Sequence, residues 1–343
     1  GNSSISLTGS WTNDGTYSYT SNNAKVIFAG VAQSINGVSV TGFRKVTINT
    51  GCVLTMNVNF STANILTVNG TINPNNSPTY TVSPGSMTVS SGGKLFVYAA
   101  TFAGNYATNP TLNSGSTIEY ASSLINQTVS SSLTYATLII SGTTVKSLTS
   151  NLPSLRSSPS SQGNIFVNGG TFDLAGFTAN RGSSTTGGEI FVNNNAILKI
   201  GGTVGFPSNF ATKTLLLAST VDYYGLNQTV TATTYGNINL SNSGAGAVTK
   251  TMPGTAFTVE GNFTSTVGSG TSVTYTAASA LTINGILNIG AGTTFSAASY
   301  SHKFGGNWIN NGTFTGSTST VTMTDDGTAI SGTGTFNINN LTI

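Results

Sequence analysis

Charge is the scarcest thing in this sequence. Eleven Lys and Arg and eight Asp and Glu amount to 6% of its 343 residues, against roughly 25% in an average soluble domain. The basic residues are scattered, with Arg44-Lys45 the only adjacent pair, so the net charge of +3 builds no stripe that a nucleic acid could follow. Cysteine occurs once, which excludes an internal disulfide framework and any CxxC metal site. Cys52 itself, followed by Val53, Leu54 and Met56, reads as a small core residue. No apolar run approaches the ~18 residues of a membrane span. No basic-plus-apolar leader opens the chain either, so its first residue reads as the start of a mature product or of an excised fragment.

What is present is Gly, Ser, Thr and Asn in quantity, with 42 Gly alone. These are poor helix formers suited to strands and turns. Hydrophobic residues still make 37%, including 17 Phe and 12 Tyr, which is too apolar for a disordered linker. The chain is therefore expected to fold, and to fold as all-β. Low charge with abundant Ser, Thr and Asn also points to an extracellular setting, on the cell surface or secreted.

Two periods are nested in the sequence. A cassette runs from Val26-Ile27-Phe28 through Gln33 to Val46-Thr47-Ile48. It returns from Ile118-Glu119-Tyr120 through Gln127 to Leu138-Ile139-Ile140, and from Val221-Asp222-Tyr223 through Gln228 to Ile238-Asn239-Leu240. A fourth copy, without the Gln, runs from Val321-Thr322-Met323 to Leu341-Thr342-Ile343. The cassettes recur at intervals of about 100 residues. A shorter echo lies inside that interval, where Ile165-Phe166-Val167-Asn168 returns as Ile190-Phe191-Val192-Asn193. A period of roughly 20–30 residues built from short strands and Asn/Gly turns is the pattern of a parallel β-helix, or β-solenoid, in which each repeat is one coil.

The cassettes alternate in and out with period 2. That makes Val26, Phe28, Ile118, Tyr120, Val221, Tyr223, Val321 and Met323 the expected core stack. Four coils of about 25 residues would equal one unit, dividing a single continuous solenoid into units of roughly 1–60, 61–150, 151–250 and 251–343. The alternative is a row of β-sandwich domains of about 100 residues each. The internal echo and the lack of linkers speak against it. Stacking also accounts for the missing charge, since like charges on successive coils would lie about 5 Å apart. Neither end shows a helical or charged cap. Similar phrases around Trp11 and Trp308 bracket the chain, so end-to-end self-association, or continuation in a longer chain, is the expected partner mode.

The phrases around Trp308, Ser319-Thr320-Val321, Gly332-Thr333-Gly334-Thr335-Phe336 and Asn340-Leu341-Thr342-Ile343 resemble the repeats of very large Bacteroidota surface proteins. So does Ser116-Thr117-Ile118-Glu119-Tyr120 with Gln127 and Tyr135-Ala136-Thr137-Leu138. The resemblance implies export by the type IX secretion route and an adhesive or filament-forming role, with a cell-surface glycan as a possible partner. The sorting domain of that route is not visible, and no Asp-Ser or Asp-Thr pair offers that phylum's O-glycosylation motif.

Chemistry finds little to work with. A polysaccharide-degrading β-helix needs several carboxylates and a cation converging on one face. Eight acids are fewer than one per coil. The best cluster is His302 with Asp325 and Asp326, about one coil apart and near Lys303, a weak candidate for a hydrolytic or Ca²⁺ site. No catalytic residue and no cofactor is assigned. Trp11 and Trp308 could stack on sugars but read better as core. An ice-binding face would need Thr-x-Thr pairs at one fixed coil position, and pairs such as Thr229/Thr231 and Thr313/Thr315 are not expected to align. The expectation is a non-enzymatic shaft or filament segment of a cell-surface adhesin. A polysaccharide-binding or -degrading β-helix and an ice-binding solenoid are the alternatives.

Overall fold

The computed structural model describes residues 3–343, and its regular structure is almost entirely parallel β-strand. Consecutive strands enter different sheets, except Thr41–Phe43 and Lys45–Ile48, which share one, and each pairs in parallel with a strand one coil away. The fold is a β-solenoid. Parallel pairing of this kind excludes a row of antiparallel sandwiches. Among the described residues the one α-helix is the single turn Phe102–Asn105.

Two compact units divide the chain. The first takes in residues up to Gly170 with Ala179–Ile190 and Ser208–Thr212. One of its sheets stacks Ser4–Leu7, Lys25–Phe28, Lys45–Ile48, Phe60–Val68, Val82–Val89 and Thr111–Leu112. A second runs from Trp11–Thr12 through Ala32–Asn36 and Val53–Met56 to Thr117–Tyr120, Thr137–Ile140 and Asn164–Val167. The second unit comprises Thr171–Thr178, Phe191–Pro207 and Lys213–Ile343. Its later coils have three strands each, as in Phe263–Ser265, Ser272–Thr276 and Leu281–Ile283, followed by Leu287–Ile289 beneath the first.

Alternation builds the core. In Thr117–Tyr120 the side chains of Ile118 and Tyr120 are fully buried while Thr117 and Glu119 face outward. Asn164–Val167, Ile197–Ile200 and Thr220–Tyr223 repeat the pattern. Each such strand buries two large side chains, worth roughly 1.5–3 kcal/mol apiece. That is less than the ordering of a coil costs, so coils are stable only on one another.

The coil is less regular than a fixed period implies. Thr137 pairs with Asn164, whereas Thr220 already pairs with Asn237, a much shorter step along the chain. The long unit is four coils and one further corner: in the first unit four pairings lead from Lys25–Phe28 to Thr111–Leu112, and Thr117–Tyr120, where the cassette returns, is the next strand of the chain. Val26 pairs directly with Val46, Ile118 with Leu138, Val221 with Ile238 and Val321 with Leu341. Each cassette is therefore one coil, closed on itself. In the first unit, Val26 and Phe28 lie in the first sheet while Ile118 and Tyr120 lie in the second. In the second unit, Val221 and Tyr223 share a sheet with Phe263–Ser265, and Val321 and Met323 share one with Leu281–Ile283. All eight are buried, yet equivalent cassette residues do not sit over one another. The physical reason is that the cassette encodes a way of turning a corner, and a coil has more than one corner.

The two Trp phrases do build the same corner. Asn13 and Asn310 are buried, and each accepts through its Oδ1 from the amide of the Gly two positions on, at 3.1 Å. Beneath them lie Gly37 and Gly332 at φ +114° and +120°, where a Cβ would strike the backbone of Asn13 and Asn310. Only glycine fits that conformation and that approach.

Candidate functional site

The repeated Gln is a buried clasp between coils. Gln127 accepts from the Ser122 amide at 3.0 Å and donates through Nε2 to the carbonyls of Val97 and Ala99 one coil away, at 2.9 and 2.8 Å. Gln228 accepts from Gly225 N at 2.9 Å and donates to Ile200 O at 3.0 Å and Val204 O at 2.9 Å. Gln33 accepts from Gly30 N at 2.7 Å and donates to the carbonyls of Leu7 and Gly9. A carboxamide suits this task, being acceptor and double donor at once.

Beneath two of these clasps stands a buried lysine, since Gln127 is in register with Lys146 and Gln228 with Lys250. Lys146 Nζ donates to Ser122 O at 2.7 Å and to Thr144 Oγ1 at 3.0 Å. Lys250 Nζ donates to Gly225 O at 2.9 Å and to Gln228 Oε1 at 2.7 Å. Burial lowers both ammonium pKa values to about 8. Gln33 is in register with Leu54 instead, and its Oε1 is met by Cys52, whose Sγ lies 3.4 Å away and whose thiol pKa burial pushes up.

A tyrosine pair completes two of the cassettes. Tyr120 and Tyr135 meet hydroxyl to hydroxyl at 3.2 Å, Tyr223 and Tyr235 at 3.0 Å. Arg181, fully buried, donates to the carbonyls of Gln162, Ser160 and Ser184 at 2.7, 2.8 and 2.6 Å. Interior cations are thus held by carbonyl oxygens at coil corners. On the surface, by contrast, Lys94 is ion-paired with Glu119 at 2.6 Å.

The weak candidate cluster, His302 with Asp325 and Asp326, is not assembled. His302 is fully buried, accepts from Leu281 N at 3.2 Å and lies 2.9 Å from Ala297 O. Asp325 and Asp326 are exposed in the turn after Thr320–Met323. The residue in register with His302 is Val321. This coil is shorter than the expected one, so the two acids fall past the rung and outside. Among the described residues no group of three His, Cys, Asp or Glu could hold a metal ion. Trp308 is fully buried against Phe314, 4.5 Å between ring centroids, while Trp11 is half-buried and donates to Thr41 Oγ1 at 3.1 Å.

Two outward faces of the second unit escaped sequence reasoning. On one, Asp173, Lys199, Asp222, Asn239 and Thr264 form a single in-register column. Tyr224 reaches back from this column's edge to donate to Asp173 Oδ1 at 2.8 Å, and the Lys199 ammonium stands 4.4 Å over its ring. The signal was the recurring strand phrase Phe172-Asp173, Leu198-Lys199, Val221-Asp222. On the other, the expectation that Thr-x-Thr pairs do not align is corrected. Thr249, Thr274, Thr294, Thr313 and Thr335 form one unbroken column, and Thr251, Thr276, Ser296, Thr315 and Asn337 form a second two positions along. Among the described residues none of these side chains makes a hydrogen bond. The alignment was hidden because the successive coils that separate these threonines differ in length.

Compared with models of protein families, with curated proteins and with solved structures, the chain has no match.

Proposed function

We propose that this protein is a structural, non-enzymatic segment of an extracellular shaft or filament, of the adhesin type that its repeats resemble. The observation that carries the reading is the clasp: Gln33, Gln127 and Gln228, two of them backed by Lys146 and Lys250, fasten one coil to the next. Side chains of this kind do mechanical work, because parting two coils breaks several hydrogen bonds at once in a medium of low dielectric. The low charge agrees with stacking, and a further coil or a second copy could pair with the strand Asn340–Thr342, which is hydrogen-bonded on one side. Two experiments test the reading. Protease shaving of intact source cells should release peptides of this chain, and recovery of the chain in the cytosol alone contradicts an outer location. Replacing the segment in its parent protein by an unrelated solenoid of equal coil number should preserve adhesion. Loss of adhesion would assign the role to this chain's own surface.

A second reading, favoured by the two hydroxyl columns, is binding to the surface of ice. Rung spacing of about 4.8 Å and two-residue spacing of about 6.7 Å make a flat lattice of methyl and hydroxyl groups, comparable in its repeats to the oxygen rows of ice. The platform is stiffened from beneath by Tyr275 and Phe295, 4.9 Å apart, and Phe314, 5.5 Å further on. The protein should shape growing ice crystals and separate freezing from melting temperature. Thr294→Tyr, in the middle of the lattice, should abolish the effect, and a wild-type chain that freezes like buffer ends the reading.

A further inference from the structure

The column Asp173–Lys199–Asp222 is unusual in a chain with only eleven cations and eight anions, since three of them occupy adjacent rungs. Lys199 stands in register between two carboxylates and pairs with neither, its ammonium lying over Tyr224 instead. The Tyr224 ring is laid across Gly201, where a Cβ would meet the ring carbon Cζ at 2.7 Å. Asp222 gathers two donors on one oxygen, Asn239 Nδ2 at 2.9 Å and Ser241 Oγ at 3.0 Å. Asn239 Oδ1, on the same column, is buried without a partner. The column then opens into a shallow groove of about 420 Å³, faced by Thr220, Asn237, Asn239, Asn262, Thr264 and Thr266, with Ile238 at its floor.

The chemistry of this face narrows its ligand. A bound peptide would need a sheet edge or apolar pockets, and here the strands are paired on both sides, the groove's outward side chains are amides and hydroxyls, and its one apolar residue, Ile238, is buried. A polyanion would be repelled by two carboxylates flanking one lysine. An uncharged polyhydroxylated chain answers these features: its hydroxyls donate to Asp222 and exchange hydrogen bonds with Thr264 and Thr266, and the C–H face of a sugar ring can lie on Tyr224 once Lys199 swings aside.

We propose that this face of the second unit, from Asp173 to Thr266, is a binding groove for a neutral polysaccharide lying along the stacking direction. The site is independent of the shaft reading, which concerns the clasps in the core.

Native electrophoresis of the intact chain through gels containing hydroxyethyl cellulose, galactomannan or polygalacturonate tests it. At least one neutral polymer should retard the protein. Thr264→Trp, which fills the groove, should reduce the apparent affinity at least tenfold, and Tyr224→Ala about fivefold, while Thr282→Trp on a neighbouring sheet leaves it unchanged. Thr264→Trp and Thr282→Trp face outward and should keep the wild-type melting midpoint, whereas Tyr224→Ala also loses the Asp173 hydrogen bond and should melt slightly earlier while staying folded at the assay temperature. Should Thr264→Trp fail to fold, Tyr224→Ala decides. Migration unaffected by either neutral polymer, retardation by polygalacturonate alone, or equal affinity in wild type and Tyr224→Ala overturns the proposal.

Discussion

Replacing Gln228 by Met keeps the length and most of the volume of the side chain but removes its hydrogen bonds. The structure says which groups are then stranded. Gly225 N loses its acceptor, and Val204 O and Gly201 O (the latter at 3.3 Å) lose their donor, whereas Ile200 O keeps the amide of Tyr224 at 3.0 Å and Lys250 keeps the Gly225 and Leu226 carbonyls. Three stranded groups at about 1–3 kcal/mol each, the long Gly201 bond at the low end, give a loss of about 4 kcal/mol. Gln162 provides the comparison, because it is half-buried and its Oε1 takes a single bond, from Gly115 N at 2.7 Å. Gln162→Met should cost about 1 kcal/mol. Urea denaturation followed by circular dichroism measures both, and hydrogen exchange should show faster opening around 200–204 and 225–230 in Gln228→Met only. If the two variants lose the same stability, or if exchange at those amides is unchanged, the clasp is not what joins the coils.

Other outcomes follow from the same contacts. With Lys146 and Lys250 lowered from 10.5 to about 8, the unfolded chain binds more protons than the native one between these values. Stability should therefore rise as pH increases from about 8 towards 10, by at most about 3 kcal/mol per lysine. It should fall again above 10, where the unfolded chain loses phenolic protons that buried Tyr106, Tyr135 and Tyr235 retain; denaturation midpoints across pH 7–11 check both limbs. Gly332→Ala should cost about 2–4 kcal/mol, because it adds a collision with Asn310 to a positive φ. Trp308→Ala should cost about 3–5 kcal/mol. Trp308→Phe should cost far less, since it also removes a buried Nε1 that has no partner. Asp325→Asn with Asp326→Asn should leave the melting midpoint unchanged, both side chains being exposed.

The fold was legible because its two strongest signals are local. Alternation in Ile118-Glu119-Tyr120 and Val221-Asp222-Tyr223 fixed which side chains enter the core, and the Gln at a similar offset marked a real corner. What the sequence concealed was phase. Corner loops vary in length, so Thr137 finds its partner late and Thr220 finds its partner early, and the long period mixes coils with corners. The same uncertainty scattered the Thr columns, dispersed Asp173, Lys199 and Asp222, and brought His302 and Asp325 together on paper. Lys146 and Lys250 were invisible for another reason: nothing in Val145-Lys146-Ser147 or Thr249-Lys250-Thr251 says that the lysine turns inward to meet carbonyl oxygens rather than outward to water.

Cysteine pairs in one column test the stacking of coils most directly. Thr274 is in register with Thr249 on one side and Thr294 on the other. With Cys52 replaced by Ser, the pairs Thr249→Cys with Thr274→Cys and Thr274→Cys with Thr294→Cys should each oxidise to a disulfide, read by mass spectrometry. Neighbouring rungs lie about 4.8 Å apart, within the reach of that bond. The pair Thr249→Cys with Thr294→Cys, two rungs apart, should stay reduced. Failure of either adjacent pair, or ready oxidation of the distant one, contradicts the solenoid.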